Sequence, residues 1–332
     1  MKAIIPVAGA GTTLRPHTHT QPKALIPVAG KPILGHIIDT LRQAGVPEFV
    51  FVIGHLREKI QDYIRTHYSD LRHHFVVQEP RLGLAHAIYQ CAPLFTDPAE
   101  DVVIALGDTI VDADIHDLVH RPGSRVCVQE VDRPGQFGIV AVDAADRILS
   151  LVEKPSIPKS NLAMVGFYKV TPVGQLMQAI HHLLDNQLQT NGEYQLTDAL
   201  MHLVRGGAEI KIERVKNWYD CGEKDSLLET NRILLNRHRP HVDAARYPGS
   251  VIIPPVFAAE SAIIENAIVG PFVALGDHAI VRNSIVENAI LGDYSRLQGI
   301  MVRNSVVGND TTLRGRWQSI NIGDNTEIDF NQ

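Results

Sequence analysis

Lys2-Ala3-Ile4-Ile5-Pro6-Val7-Ala8-Gly9-Ala10-Gly11-Thr12-Thr13-Leu14-Arg15-Pro16 opens the chain, with Pro22-Lys23 and Lys31-Pro32 close behind. A short apolar strand runs directly into a glycine-containing turn. Glycines let the backbone approach an anion, and unpaired amide N–H groups in such a turn can hold phosphate oxygens. The segment Ala8, Gly9, Ala10, Gly11 and Thr12 is therefore a candidate phosphate loop, and Lys23 would add a full positive charge beside it. The arrangement suits a nucleoside triphosphate.

Spacing excludes two other glycine loops. A Walker loop needs Gly, four residues and then Gly-Lys-Ser/Thr, which is missing here. A dinucleotide fingerprint needs a third glycine where Leu14 stands.

Outward from this stretch, strand and helix patterns alternate to about residue 120. Ile33, Leu34, Ile37, Ile38, Leu41 and Ala44 share one helical face, and Gly45 suits a helix stop. Phe49–Ile53, Phe75–Val77 and Val102–Leu106 are continuous apolar runs of the kind buried on both faces. This βαβα rhythm predicts an α/β domain with a Rossmann-like, mostly parallel sheet between helices. Strand-like runs follow at 125–131, 138–142, 148–152, 163–170 and 209–215, with helices over 173–189, 195–205 and 224–236. The polar stretch Asn236–His241 marks a boundary, giving a first domain over 1–238 and a linker over 239–250.

The texture changes over 251–332. Ile263, Val269, Leu275 and Val281 recur at a six-residue step, and Leu291 to Leu297 and Val307 to Leu313 repeat it after interruptions. An α-helix would not keep that step on one face. A coil of three short strands per turn would, each strand sending one side chain inward.

A net charge of −6 gives no basic footprint for nucleic acid. No apolar run approaches the ~20 residues of a membrane span, and the N-terminus lacks a signal-peptide pattern. Three widely spaced cysteines suggest neither a disulfide framework nor a zinc site, and a reducing cytoplasm fits best. The sixteen histidines show no metal-ligand spacing.

The stretch from Gly9 to Pro32 resembles the signature of the sugar nucleotidyltransferases, the nucleoside-diphosphate-sugar pyrophosphorylases: Gly-x-Gly-Thr-Arg-Leu, Pro, Pro-Lys, Pro-Val, Lys-Pro. The C-terminal segment resembles the hexapeptide repeats of left-handed parallel β-helices. The resemblance implies transfer of a nucleotidyl group from dTTP or UTP to a sugar 1-phosphate, first of all glucose 1-phosphate, with release of pyrophosphate and with Mg²⁺ as cofactor. Such a reaction needs alignment and charge neutralisation more than covalent chemistry.

Asp108 follows Gly107 at the carboxyl end of a strand, where open α/β sheets place ligands. The resemblance makes it and Asp220, in Trp218-Tyr219-Asp220-Cys221-Gly222, the metal carboxylates. Two are sufficient, since Mg²⁺ is usually held by one or two carboxylates plus substrate phosphates. Glu153-Lys154, Gly138, Gly166 and Glu193 match the sugar-phosphate side. Gln78-Glu79-Pro80-Arg81-Leu82-Gly83 resembles the base-recognition segment; Gln78 can donate to and accept from an imide edge, and Gly83 would let the backbone approach the ring.

One position departs from the pattern: Thr13 stands where the family has arginine. Losing one positioned donor at developing charge costs about 2.7–4 kcal/mol, and Arg15, two residues away, is the expected substitute. A second reading follows from the same residue, a catalytically impaired regulatory subunit that binds nucleotide and sugar. Acyltransfer by the C-terminal segment is disfavoured, because roughly 80 residues yield few coils and His278 is the one obvious base there. Its flat faces and open edges predict a homo-oligomer.

Overall fold

The apolar run of the opening stretch forms β1 (Lys2–Pro6) in a computed structural model that describes residues 1–315. The end of the expected coil, 316–332, lies outside the described residues. β1 is followed by the small hairpin β2 (Pro27–Val28) and β3 (Lys31–Pro32), then α1 (Ile33–Gln43), β4 (Phe49–Ile53), α2 (Arg57–His67), β5 (His73–Val77), α3 (Leu84–Tyr89) and β6 (Val102–Ala105). α1 ends as its glycine predicts, with Gly45 left-handed at φ 83°.

β4 and β6 are buried at every residue, which is why their sequences do not alternate. β1 pairs in parallel with β4 on one side and β6 on the other, and β4 pairs in parallel with β5. The chain thus winds outward from β1 to β4 and β5, then returns to lay β6 against the opposite edge of β1. That reversal is a topological switch point, where a crevice opens at the carboxyl ends of the strands.

Next come β7 (Thr109–Asp112), α4 (Ile115–His120), β8 (Ser124–Glu130), β9 (Gly138–Val142), β10 (Ile148–Glu153), β11 (Leu162–Val170), α5 (Val173–Asp185), α6 (Leu196–Arg205), β12 (Ile210–Arg214), β13 (Asn217–Asp220) and α7 (Lys224–His238). Here the nine-stranded sheet becomes mixed: β11 runs antiparallel to β6, β8 and β9, and β9 and β10 form a hairpin. The reason is connection length. A parallel return needs a crossover of about a dozen residues or more, whereas only residues 143–147 separate β9 from β10. β7 and β13 form a separate two-stranded antiparallel ladder with Asp220 opposite Thr109.

Packing divides the chain after Thr230, inside α7 and ahead of the polar stretch at 236–241. In the second unit short strands stack in parallel: Ile264 lies beside Val281, Val281 beside Leu297, and Leu297 beside Leu313. Val269, Val286 and Val302 form a second column, and Leu275, Leu291 and Val307 a third. These columns are those of a left-handed parallel β-helix, whose corners carry left-handed asparagines such as Asn266 and Asn283. The segment 239–250 is not a free linker, since Tyr247 is buried in this unit's core.

The six-residue step is not kept around the coil. Three hexapeptides would give about 18 residues per turn, but partners one coil apart are separated by 16 or 17 residues. Ile263, expected inside, is consequently 38% exposed, and Ile264, 1% exposed, takes the inward place. Among the described residues no helix is long and apolar enough to cross a membrane, and the three cysteines are buried and unpaired.

This register is testable by chemical unfolding. Ile264→Ala should cost about 2–5 kcal/mol through lost burial and a residual cavity. Ile263→Ser should stay within about 0.5 kcal/mol of the parent, as exposed substitutions do. The opposite ranking would mean that the strand is shifted by one residue.

Candidate functional site

The loop leaving β1 is seated between two glycines on the neighbouring strands' ends. A Cβ on Gly54, after β4, would lie 2.9 Å from both the Ala8 carbonyl oxygen and Cβ; one on Gly107, after β6, would lie 2.8 Å from the Pro6 oxygen and collide with Val7. Only glycine lets both neighbours close on the loop. Gly11 is left-handed (φ 59°), and its carbonyl accepts from the Thr18 hydroxyl at 2.7 Å. The N–H groups of Ala8, Gly9, Ala10 and Gly11 donate to no partner among the described residues. Consecutive unpaired amides of this kind form an anion nest.

Lys23 links the loop to the strand end. Its Cβ would be 2.9 Å from a Cβ on Gly11, and its ammonium donates to Asp108 Oδ2 at 2.5 Å. Thr109 Oγ1 donates to Asp108 Oδ1 at 3.3 Å. The β7–β13 ladder brings up Asp220, and the Cys221 N–H donates to the Asp108 carbonyl at 3.0 Å. Burial, and next the charge of Asp108, hold the Asp220 carboxyl above the usual carboxylate range; Lys23 and the Gly222 amide oppose them. Elevation of this kind arises where a carboxyl is buried and a second carboxylate lies beside it.

The donor set fits a hard divalent ion. It offers two carboxylates and, among the described residues, no cluster of three or more metal-ligating side chains. Mg²⁺ typically takes one or two protein carboxylates and completes its shell with phosphates and water.

A cleft of about 330 Å³ joins this point to the sugar-side candidates, with Asp108, Asp220, Gly138, Glu153, Lys154 and Gly166 on its wall. Glu153 and Lys154 are adjacent in sequence and would point to opposite faces of a regular strand. Lys154 is left-handed (φ 41°), so the chain turns as β10 ends and both residues line the cleft. Gly138 opposes Glu153 in the β9–β10 hairpin; a Cβ there would lie 3.0 Å from Glu153 Oε2 and collide with Met164. Gly166 sits at a left-handed φ of 79° against Leu106, where the β8–β11 register shifts. Thr197, in the first turn of α6, donates to Glu153 Oε2 at 2.7 Å. Phe137, Tyr168, Gln195 and Thr197 also line the cleft and were not singled out by spacing. Phe137 packs edge-on against Trp218 with ring centroids 4.9 Å apart.

Other candidates lie off that wall. Arg15 is exposed and makes no ion pair among the described residues. Glu193 is exposed and accepts from Gln195 Nε2 at 3.2 Å. Gly83 has an internal reason to be glycine: at φ 108°, its Cβ would lie 2.6 Å from the Tyr194 carbonyl oxygen. Tyr194 N donates to Leu82 O and Ala85 N to Tyr194 O, both at 2.9 Å, so the base segment and the Glu193 segment are sewn together.

Gln78 is held in one orientation. The Gly83 carbonyl can only accept, so the amide atom 2.9 Å away is the NH₂, whose second hydrogen meets His86 Nδ1 at 3.3 Å. The unprotonated Nδ1 places the His86 proton on Nε2, which the Gln90 side-chain amide 3.0 Å away accepts only with its oxygen turned toward the ring. Burial lowers the His86 pKa and favours this neutral form. Gln78 Oε1 has no partner among the described residues and is left as an acceptor.

Comparison with known proteins identifies the family. Residues 2–237 match the family described as Nucleotidyl transferase. The low-salt glycan biosynthesis nucleotidyltransferase Agl11 of Haloferax volcanii is 38% identical over 71% of this chain and 66% of its own length. A glucose-1-phosphate thymidylyltransferase of Streptomyces antibioticus is 31% identical over 88% of this chain and 87% of its own. AglF of Haloferax volcanii, a UTP–glucose-1-phosphate uridylyltransferase, is 34% identical over 66% of this chain and 89% of its own. The fold also matches a crystal structure of UDP-glucose pyrophosphorylase complexed with UDP-glucose, with a TM-score of 0.63, 24% identity, and coverage of 71% of this chain and 98% of that one. The nest, the paired aspartates and a family match from residue 2 to 237 together mean that the chain belongs to the nucleotidyl transferases, in the branch that acts on sugar 1-phosphates.

Proposed function

We propose that the chain joins dTTP or UTP to a hexose 1-phosphate, with glucose 1-phosphate the first candidate, and releases pyrophosphate. The observation that carries this reading is the shared cleft, whose wall carries Asp108 and Asp220 together with Glu153 and Lys154. Relatives named for thymidylyl and uridylyl transfer to glucose 1-phosphate support both nucleotides.

In this reading Asp108 and Asp220 hold Mg²⁺, which neutralises charge on the triphosphate. The amides from Ala8 to Gly11 bind phosphate oxygens. Lys23, rooted beside Gly11 and ending on Asp108, reaches either the carboxylate or a phosphate oxygen. Lys154 offers a cation to the sugar phosphate, and Glu153, fixed by Thr197, accepts from sugar hydroxyls. These contacts align a sugar-phosphate oxygen with the α-phosphorus and offset the repulsion between two polyanions. Gln78 Oε1 accepts the N3–H of uracil or thymine, whereas cytosine and adenine present a ring-nitrogen acceptor there. Self-association through the coil belongs to the same reading. Val251, Ile268, Ile285 and Met301, in register on successive coils, are 37–72% exposed and supply an outward apolar column for it.

The primary test is pyrophosphate release across a matrix of dTTP, UTP, CTP, ATP and GTP against several sugar 1-phosphates. Asp220→Asn should lower kcat by about 10²–10³. It should leave Tm unchanged or higher, because burial and Asp108 already disfavour the charge being removed. A Tm several degrees lower with turnover retained would make the aspartate structural. Arg15→Ala should lower turnover if that side chain supplies the cation missing at Thr13; full turnover would reject that role. His86→Ala frees the Gln78 amide to rotate and should erode the kcat/KM preference for UTP or dTTP over CTP by about tenfold, on the order of one hydrogen bond. An unchanged preference would mean that Gln78 does not read the base.

A further inference from the structure

Position 13 has a partner in the structure. The Thr13 hydroxyl donates to the Gly222 carbonyl at 2.5 Å, across 209 residues of sequence. Gly222 in turn lies against the Asp220 carboxylate: a Cβ on it would sit 2.9 Å from Oδ1 and 3.3 Å from Oδ2. The residue before Gly222 is anchored as well, through Cys221 N to the Asp108 carbonyl at 3.0 Å. The Cys221 thiol is fully buried beside Thr230. The turn after β13 is therefore fixed at Cys221 by the sheet and at Gly222 by the glycine loop.

We infer that Thr13 is a positioning residue, a clasp from the phosphate loop to the Gly222 turn that holds the Asp220 carboxylate in place for a divalent ion. A hydroxyl suits this task because it is short and donates to a carbonyl in a fixed direction. An arginine can also donate to a carbonyl, but its long side chain does not fit a contact this short and would bring a charge to the turn. The clasp also joins the element that binds the triphosphate's phosphates to the element that binds the metal, so that one is in register with the other. The inference rests on the reading of Asp220 as a metal ligand.

The test compares Thr13→Ala, Thr13→Ser and Thr13→Arg in the full chain, using two readouts. One is Mn²⁺ binding to the protein without substrates, followed by electron paramagnetic resonance; the other is the Mg²⁺ concentration that half-saturates pyrophosphate release. Thr13→Ala should weaken Mn²⁺ binding and raise the Mg²⁺ requirement, each by about tenfold, the effect of about one hydrogen bond. Thr13→Ser, which keeps the hydroxyl, should restore both, and Thr13→Arg should not. Thr13→Ser also serves if Thr13→Ala fails to fold, because a serine that behaves like the parent beside a defective arginine still supports the clasp. Parental metal binding in Thr13→Ala would overturn the proposal. So would an arginine variant that turns over as fast as the parent or faster, since position 13 would then want a cation. A parent that released no pyrophosphate from any substrate pair would sink the functional reading alone, and the Mn²⁺ comparison would still decide the clasp.

Discussion

Two like charges held together at the end of a buried sheet are the constraint on which the rest of the site depends. Asp108 and Asp220 come from segments remote in sequence, and burial together with the charge of Asp108 disfavours ionisation of Asp220. Left alone, such a pair would take up a proton or separate. The Lys23 ammonium on Asp108, the Gly222 amide beside Asp220 and the Thr13 hydroxyl on Gly222 oppose that tendency. The site is thus electrostatically unsatisfied, as suits a place that receives a cation and a polyphosphate together.

The backbone around this pair follows from steric permission. Gly54 and Gly107 let β4 and β6 close on the loop leaving β1, so the unpaired amides open at the switch point, close to Asp108. Gly138 makes room for the Glu153–Thr197 hydrogen bond. Lys154 does the opposite: it adopts a left-handed conformation that glycine would hold more easily, at a cost of order 1–3 kcal/mol. In return, two adjacent charged residues face one cleft, which an extended strand forbids. Strain of this kind is retained where the surrounding fold imposes it and the site uses it.

The sequence carried the fold in its periods and punctuation. Continuous apolar runs gave the buried strands β1, β4 and β6, a 3.6-residue face gave α1, and Gly45 marked its end. The site was legible where a residue type has few uses, as with aspartates after strands or glycines in a row. It was least legible where a side chain's task depends on a distant partner. Thr13 reads as a missing arginine, yet it is hydrogen-bonded to Gly222; Gly83 reads as an approach to a base, yet it is required by the Tyr194 backbone. Nothing in the local pattern marks Thr197, whose hydroxyl holds Glu153.

What the amino-acid sequence determined by itself was local: which segments form helices or strands, where they stop, and which residue types are available for phosphate, metal and sugar. These follow from side-chain period, backbone permission and chemical type, all properties of neighbours along the chain. Only the tertiary structure decided the antiparallel half of the sheet, the 16- or 17-residue coil that puts Ile264 rather than Ile263 inside, and the acceptor end that Gln78 leaves free. Each depends on register or on a hydrogen bond between segments far apart. A one-residue slip or a rotated amide leaves the local pattern unchanged while reversing what the site presents.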